Sequence, residues 1–319
     1  MSAAATSWIL SEGYAGLQAQ ALGLAEAAGL CPEMRVLAPR APWKWVAASL
    51  WPAPLAAVPD AVQAPLPDLV IGCGGVGAAV GAALRRDDRP VVQVQHPRMD
   101  PRRFDLIVVN RHDELAGPNV LVTRTALHRV TPARLAAAAD AWRERLAHLR
   151  RPLVAVLVGG SNGRFRLDTA VAAELAGQLA AMMRSDGVGV AVTPSRRTDP
   201  AVTRVLSETL APLGGEVWDG SGDNPYFGML ALADAIIVTM DSVSMVSEAV
   251  ATAAPVMLAR LPGRSRRIGL FIEGLLRDGR VREFAGRLER WNVAPLDDTA
   301  EVASEMCRRL GLPCPDMSC

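Results

Sequence analysis

Two loops in the second half of the sequence combine glycine, hydroxyl and arginine side chains, which are residue types that hold phosphate groups. The segment 159–164 (GGSNGR) follows the apolar run Leu153–Val158, and 193–198 (TPSRRT) completes the run Val188–Thr193. Glycine lets backbone N–H groups approach an anion closely, and arginine offers a forked donor to phosphate oxygens. Both loops are also compatible with plain strand-to-helix turns. If they are functional, the phosphate contacts come from Gly159, Gly160, Ser161, Ser195 and Arg196.

A third segment, 218–248, carries the strongest signal. The run Ala235–Met240 delivers Asp241 and Ser242 to the start of a helix, where hydroxyls and free N–H groups suit a diphosphate. Ser244 and Glu248 are four residues apart and share a helix face, so the carboxylate can accept from two ribose hydroxyls. Asn224 and Ser244 also have an ordinary explanation as helix caps. The predicted nucleotide-binding residues here are Asn224, Tyr226, Asp241, Ser242, Ser244, Met245 and Glu248.

Candidate catalytic groups in the first half are few. Glu12 is the only carboxylate in the loop Ser11–Gly16, which follows the first strand, and an exposed helix acid is the alternative interpretation. His96, at the end of another strand, is a candidate general base or ligand contact, although a lone histidine is commonly structural. Cys73 is interpreted as a small buried residue rather than a nucleophile.

Short β-type runs alternate with helical patterns along the whole chain, which indicates βαβ units and parallel sheets. We therefore predict an α/β fold of two doubly wound, Rossmann-like domains facing an interdomain cleft, with ligands beyond the carboxyl ends of the strands. The predicted domains are 1–150 and 151–319, with the last helix, Thr299–Leu310, as a candidate to pack back on the first domain. The predicted strands are Ser7–Leu10, Met34–Ala38, Asp68–Gly72, Val91–Gln95, Asp105–Val109, Val120–Val122, Leu153–Val158, Val188–Thr193, Ala235–Met240 and Pro255–Ala259.

Composition excludes several classes of protein. The chain has 319 residues and a formal net charge of +1, so no basic field points to nucleic acid as a partner. The five cysteines form no C-x-x-C pair and sit beside no histidine at ligand spacing, which favours a reduced cytoplasmic setting without a metal site. No signal peptide is recognisable, and no apolar run reaches the ~20 residues of a membrane span.

The segment 42–52 concentrates three of the seven tryptophans, Trp43, Trp45 and Trp51, around Lys44. Tryptophan beside a cation suits peripheral contact with a membrane surface, here the inner membrane, or with a protein partner. A buried loop over the core is the alternative.

The sequence resembles the mitochondrial-fission family named for elongated mitochondria, as a bacterial member. The matching motifs extend over nearly the whole chain: Ala15-Gly16 with Gln20, Pro42-Trp43, His96-Pro97-Arg98, Phe104-Asp105-Leu106, His112-Asp113, Gly117-Pro118-Asn119-Val120, Ser195-Arg196-Arg197-Thr198, Asp223-Asn224-Pro225-Tyr226, and Asp241-Ser242-Val243-Ser244-Met245 with Glu248.

This resemblance implies a GT-B-like fold and similarity to nucleotide-sugar enzymes. It favours a metal-independent glycosyltransferase that needs no cofactor, uses a nucleoside-diphosphate sugar as substrate and acts on a cell-envelope or lipid-linked acceptor. One alternative is a UDP-sugar 2-epimerase-like enzyme, and another is a non-enzymatic adaptor at a membrane surface. Leu17 follows Gly16 where a polar or acidic residue would be more useful, so the catalytic base stays open.

Overall fold

Two six-stranded parallel sheets organise the computed structural model, which describes residues 6–313. Each sheet belongs to its own unit. Among the described residues, the first unit comprises 6–129 and 297–313, and the second unit comprises Val130–Leu296. The chain therefore passes between the units twice, and the first passage lies earlier than the position 150 suggested by the sequence.

The first unit has strand order β2-β1-β3-β4-β5-β6, with every pair parallel. Its core lies on both faces of the sheet. Its elements in chain order are β1 (Thr6–Ser11), α1 (Ala15–Ala27), β2 (Cys31–Val36), α2 (Pro54–Ala57), β3 (Leu69–Cys73), α3 (Gly74–Leu84), β4 (Val91–Val94), β5 (Leu106–Asn110) and β6 (Val120–Thr123).

The second unit has strand order β12-β11-β10-β7-β8-β9, also parallel throughout. Its elements are α4 (Pro132–Trp142), β7 (Leu153–Val158), α5 (Thr169–Asp186), β8 (Gly189–Pro194), α6 (Pro200–Leu210), β9 (Glu216–Val217), α7 (Tyr226–Leu232), β10 (Ala235–Thr239), α8 (Val243–Val250), β11 (Val256–Ala259), α9 (Arg266–Arg277) and β12 (Val281–Glu283). The helix α10 (Thr299–Leu310) follows in the first unit.

The central strands form because they are continuous apolar runs that helices cover on both faces. Every residue of β3, β7 and β10 is buried, which is typical of parallel strands. The predicted α/β class with two doubly wound sheets is confirmed, and Leu153–Val158 is found with the predicted bounds. The edge strand β2 is Cys31–Val36 instead of Met34–Ala38, because its exposed and half-buried residues give a weak pattern.

Helix α4 belongs to the second unit, since it packs against α7. Gly228 allows this close approach, because a Cβ there would lie 2.3 Å from Cγ of Trp142. The helix ends at Trp142. Strands β9 and β12 were not predicted.

Helix α10 returns the chain to the first unit and packs on α1. Val302, Ala303 and Met306 are buried in the same core cluster as Leu24. The carboxylate of Asp298, next to the helix start, accepts hydrogen bonds from the backbone N–H and guanidinium of Arg124. The first unit is thus completed by α10, the last helix within residues 6–313.

Candidate functional site

The second sheet contains the topological feature at which ligands of doubly wound folds bind. Strands β7 and β10 are neighbours, and from them the chain proceeds to β8 and β9 on one side and to β11 and β12 on the other. The carboxyl ends of such a strand pair border a crevice. Gly159 and Gly160 follow β7 there, and Asp241 follows β10.

Asp241 joins three strand-end loops. Its Oδ2 accepts from the backbone N–H of Gly160 at 3.2 Å and from the guanidinium of Arg197 at 2.9 Å. Its Oδ1 accepts from the hydroxyl of Thr239 at 2.7 Å. The Asp241 side chain is 0% exposed, whereas that of Arg197 is 44% exposed. We call Gly160, Arg197, Thr239 and Asp241 the aspartate cluster; in it Asp241 positions the arginine and the glycine loop.

The two glycines are required by close packing. A Cβ on Gly159 would lie 2.2 Å from Oδ1 of Asp241, and a Cβ on Gly160 would lie 2.2 Å from the backbone oxygen of Arg197. The N–H of Gly159 donates to the hydroxyl of Thr239 at 2.7 Å. Because these two positions lack a Cβ, the side chain of Asp241 and the backbone of Arg197 can pack directly against them. The sequence pattern did not suggest this role.

The loop after β8 is a closed turn. Thr198 Oγ1 accepts from the backbone N–H of Ser195 at 2.9 Å and donates to the backbone oxygen of Gly159. Ser195 Oγ in turn accepts from the N–H of Arg197 at 3.2 Å. Arg196 is exposed and has no hydrogen-bond or ion-pair partner among residues 6–313. The turn thus holds one arginine in the cluster and leaves its neighbour open to solvent.

Ser161 is committed to its own loop. Its hydroxyl donates to the backbone oxygen of Leu167 at 3.1 Å and accepts from the N–H of Leu167 at 2.8 Å. The Ser161 hydroxyl therefore stabilises the glycine-rich segment that leads into α5.

Helix α8 begins immediately after Asp241. Ser242 is its N-cap, with the hydroxyl accepting from the N–H of Met245 at 3.4 Å. Ser244 lies within the first turn, so the interpretation of Ser244 as the cap was wrong. The N-terminus of α8 carries partial positive charge and N–H groups without helical partners, next to the aspartate cluster in sequence.

Glu248, farther along α8, forms a partly buried pair with Tyr226 at the start of α7. The phenol donates a hydrogen bond to Oε2 of Glu248. Burial raises the pKa of Glu248 to about 7, while the Tyr226 hydrogen bond and the positive charge of Arg134 act in the opposite direction. Burial also raises the pKa of Tyr226 well above its ordinary value, so the phenol stays neutral.

Asn224 fixes the entry to α7. Its Oδ1 accepts from the N–H of Tyr226 at 2.9 Å. The neighbouring Asp223 pairs with Arg145 at 3.0 Å, and Arg134 lies over the ring of Phe227 at 4.2 Å. Contacts from α4 and the segment that follows it therefore support the helix that carries Tyr226.

In the first unit, Glu12 and His96 follow different strands, β1 and β4. Glu12 Oε2 accepts only a long contact, 3.5 Å, from the N–H of Val76 in α3. His96 Nδ1 accepts from the N–H of Arg98 at 2.9 Å. In the described part of the chain no hydrogen bond or ion pair joins Glu12 to His96. Cys73, at the end of β3, is buried, and burial raises the pKa of its thiol to about 12.

The tryptophan segment is only partly open to solvent. Trp45 is 73% exposed, and Val46 and Leu50 are exposed beside it. Trp51 is 7% exposed and donates from Nε1 to the backbone oxygen of Val46, while Trp43 lies half-buried against its ring. The expectation that Trp51 takes part in membrane contact was therefore wrong.

Three further properties concern only residues 6–313. No group of three or more His, Cys, Asp or Glu side chains there is arranged to hold a metal ion. None of the helices in that range is long and apolar enough to cross a membrane. Cys31, Cys73 and Cys307 form no disulfide bond there, and Cys314 and Cys319 lie outside the described residues.

Sequence reasoning singled out Arg196 and overlooked three residues that the structure brings into the site. Each of them interacts with a predicted site residue, either through a hydrogen bond or through its charge. Arg197 was visible in the motif 195–198, but neighbouring arginines cannot be told apart without the turn geometry. The overlooked residues are Arg134, Arg197 and Thr239.

Two units in one chain, each built on a doubly wound parallel sheet, give the protein a GT-B-like fold. Solved structures agree with this fold. They include S. aureus MnaA with UDP, at 12% identity, TM-score 0.57 and coverage of 97% of this chain and 98% of that one. A. baumannii MurG matches at 15% identity, TM-score 0.50 and coverage of 96% and 90%.

The chain belongs to the mitochondrial fission ELM1 family, whose model matches residues 15–310. The mitochondrial fission protein ELM1 of Arabidopsis thaliana is 34% identical over an alignment of 274 residues that covers 76% of this chain and 64% of the plant protein. The chain thus spans less than two thirds of that relative. An uncharacterised protein of Rickettsia prowazekii is 26% identical over 74% of this chain and 78% of its own length.

Proposed function

We propose that the second unit binds a nucleoside-diphosphate sugar and that the protein transfers the sugar to an acceptor. The observation that carries this proposal is the aspartate cluster at the carboxyl ends of β7 and β10, directly followed by the N-terminus of α8. It unites a fixed guanidinium with a helix start at the position where doubly wound folds bind nucleotides.

The diphosphate is held by donors from two elements. Arg197 is half-exposed and fixed by Asp241, and Arg196 is open to solvent one residue earlier. The N–H groups in the first turn of α8, with the side chain of Ser244, supply further donors. Pre-placed donors stabilise the departing nucleoside diphosphate, which is the main catalytic effect we assign to this unit.

The ribose is held by Glu248. An ionised carboxylate accepts hydrogen bonds from both hydroxyls of a ribose, and Tyr226 holds the carboxyl group in place. Glu12 is proposed as the carboxylate that acts on the acceptor, because it follows β1 at the carboxyl edge of the first sheet.

Calorimetric titration with UDP, GDP, ADP and their sugars tests the proposal. Wild type should bind at least one of them. Glu248→Ala should weaken that binding about tenfold or more, because a hydrogen bond to a charged group contributes about 1.5–3 kcal/mol. Glu273→Ala, which removes an exposed glutamate of α9, is the matched control and should bind like wild type. Failure of wild type to bind any of these ligands would reject the proposal.

A 2-epimerase-like activity uses the same donor site. The UDP-GlcNAc 2-epimerase of Methanocaldococcus jannaschii shares the fold at TM-score 0.56 and 12% identity, over 96% of this chain and 99% of that one. Product analysis with UDP-GlcNAc in the absence of an acceptor separates the two reactions, since only an epimerase changes the sugar without one.

A non-enzymatic adaptor is favoured by one observation, the exposure of Trp45, Val46 and Leu50 in one short segment beside Lys44. Such a patch contacts a membrane interface weakly. Co-sedimentation with anionic vesicles, compared between wild type and Trp45→Ser, tests it. Equal sedimentation of the two proteins argues against membrane contact through this segment.

A further inference from the structure

The turn Gln95–Arg98 at the carboxyl end of β4 has an unusual backbone. Three non-glycine residues among residues 6–313 have positive φ, and two of them lie here: Gln95 at 73° and Arg98 at 56°. Residues other than glycine adopt this region at an energetic cost, and they do so when the surrounding structure enforces it, often at functional sites.

The turn fixes the tautomer of His96. The N–H of Arg98 donates to Nδ1 of His96 at 2.9 Å. A ring nitrogen that accepts a hydrogen bond carries no proton, so the neutral imidazole has its proton on Nε2. His96 therefore presents an N–H donor, whereas a general base would have to present a lone pair at that nitrogen.

The turn is also tied to a neighbouring helix of the same unit. Nε2 of Gln95 donates to Oε1 of Gln20 at 3.3 Å, and Nε2 of Gln20 donates to the backbone oxygen of Gly16 at 3.1 Å. This chain of amides links the end of β4 to α1. A donor held in this way is pre-organised for a ligand.

Arg98 supplies an uncommitted positive charge. Its side chain is exposed and makes no hydrogen bond or ion pair within the part of the chain that the structure describes. By contrast, Arg102, four residues on, pairs with Asp100. The turn thus offers a fixed N–H donor and a free guanidinium two residues apart.

We propose that the turn Gln95–Arg98 is an anion site for a phosphoryl group, which accepts from Nε2–H of neutral His96 and from the guanidinium of Arg98. A phosphoryl group has several acceptor oxygens and suits donors from two side chains, one of them forked. This site lies in the first unit and does not depend on nucleotide binding by the second.

Nitrogen-15 NMR of the histidine rings tests the proposal directly, because the chain has four histidines and His96→Gln identifies the signal. We expect the Nε2–H tautomer at His96 and a saturable shift of its signal on titration with pyrophosphate. Arg98→Gln should weaken that response about tenfold, and Arg102→Gln should leave it unchanged. A proton on Nδ1, no shift with wild type, or equal effects of the two variants would overturn the proposal.

Two further measurements distinguish this site from the proposed nucleotide site and identify the source of the phosphoryl group. Glu248→Ala should leave the His96 response intact; its loss would mean that the signal reports the second unit, which would overturn the proposal. Vesicles of phosphatidylcholine with phosphatidic acid, in place of pyrophosphate, test a lipid source. Broadening of the His96 signal in wild type but not in Arg98→Gln supports a lipid-borne phosphoryl group, and no broadening supports a soluble one.

Discussion

The carboxyl edges of the two sheets hold their polar groups in different ways. In the second unit, the buried carboxylate of Asp241 connects the loops after β7, β8 and β10. In the first unit, Glu12 makes one long contact with α3, and the imidazole of His96 is bonded inside its own turn. One edge is joined through a single buried carboxylate, whereas at the other edge the loops after β1 and β4 contact neighbouring helices separately, Glu12 with α3 and Gln95 with α1.

The difference matters for what each edge can bind. A diphosphate that develops charge on several oxygens needs donors whose relative positions are fixed before it arrives. The aspartate cluster provides such fixed positions in the second unit. The loops after β1 and β4 each contact a neighbouring helix through one side chain, so the first edge is better suited to a ligand contacted at fewer points.

The largest expected difference between the two edges is in the stability lost when the carboxylate of each is removed. Asp241→Ala leaves Gly160 N–H and the Thr239 hydroxyl unpaired and deprives Arg197 of its partner, so we expect a loss of about 3 kcal/mol in unfolding free energy. Glu12→Ala should cost about 0.5 kcal/mol, the scale of an acid near a helix start. Urea unfolding measures both. Similar losses for the two variants would contradict the distinction between the edges.

Glu248→Gln should produce a pH-dependent gain in stability. The raised pKa means that the fold disfavours the ionised acid, so wild type loses stability as pH rises from about 4.5 to about 7 and not beyond. The glutamine variant lacks this loss. Relative to wild type it should gain about 3–4 kcal/mol across that window, a shift of one pKa unit being about 1.4 kcal/mol.

Urea unfolding at a series of pH values measures this gain, with Glu273→Gln as the exposed control. A difference that stays constant between pH 4 and pH 8 would contradict the assignment. On the proposed function, nucleotide affinity should show the opposite trend and increase as Glu248 ionises near pH 7.

Gly160→Ala should destabilise the second unit by about 2 kcal/mol, since a methyl group would collide with the backbone of Arg197, which cannot move without disturbing the turn. Thermal unfolding and nucleotide titration should both register the change. Wild-type stability in this variant would mean that the two loops are less tightly joined than their hydrogen bonds indicate.

Gly75→Ala, in the first turn of α3, should have the smallest effect and the opposite sign. A Cβ there meets nothing within 4 Å, and its φ is not in the left-handed region. Alanine should therefore stabilise the helix by about 0.4–1 kcal/mol. Thermal unfolding checks this. A loss of stability would show that the surroundings of Gly75 in the first unit are as tightly packed as those of Gly160 in the second.

Much of the fold was predictable because buried parallel strands are continuous apolar runs, as in Leu153–Val158. Short edge strands such as β12, with two of three residues exposed, lack that signal. The sequence also located the strand-end loops. It could not show that Asp241 faces Arg197 or that Ser161 bonds to Leu167, because side-chain direction in a turn depends on contacts between segments far apart in the chain.

The return of α10 to the first unit affects how the protein is made. During synthesis the ribosome releases Val302, Ala303 and Met306 only after the whole of Val130–Leu296. The second unit can fold as soon as it emerges, while the apolar face of α1 around Leu24 stays exposed to solvent until α10 packs on it. The core of the first unit, whose strands all precede the second unit in the sequence, therefore closes only after the second unit has been synthesised.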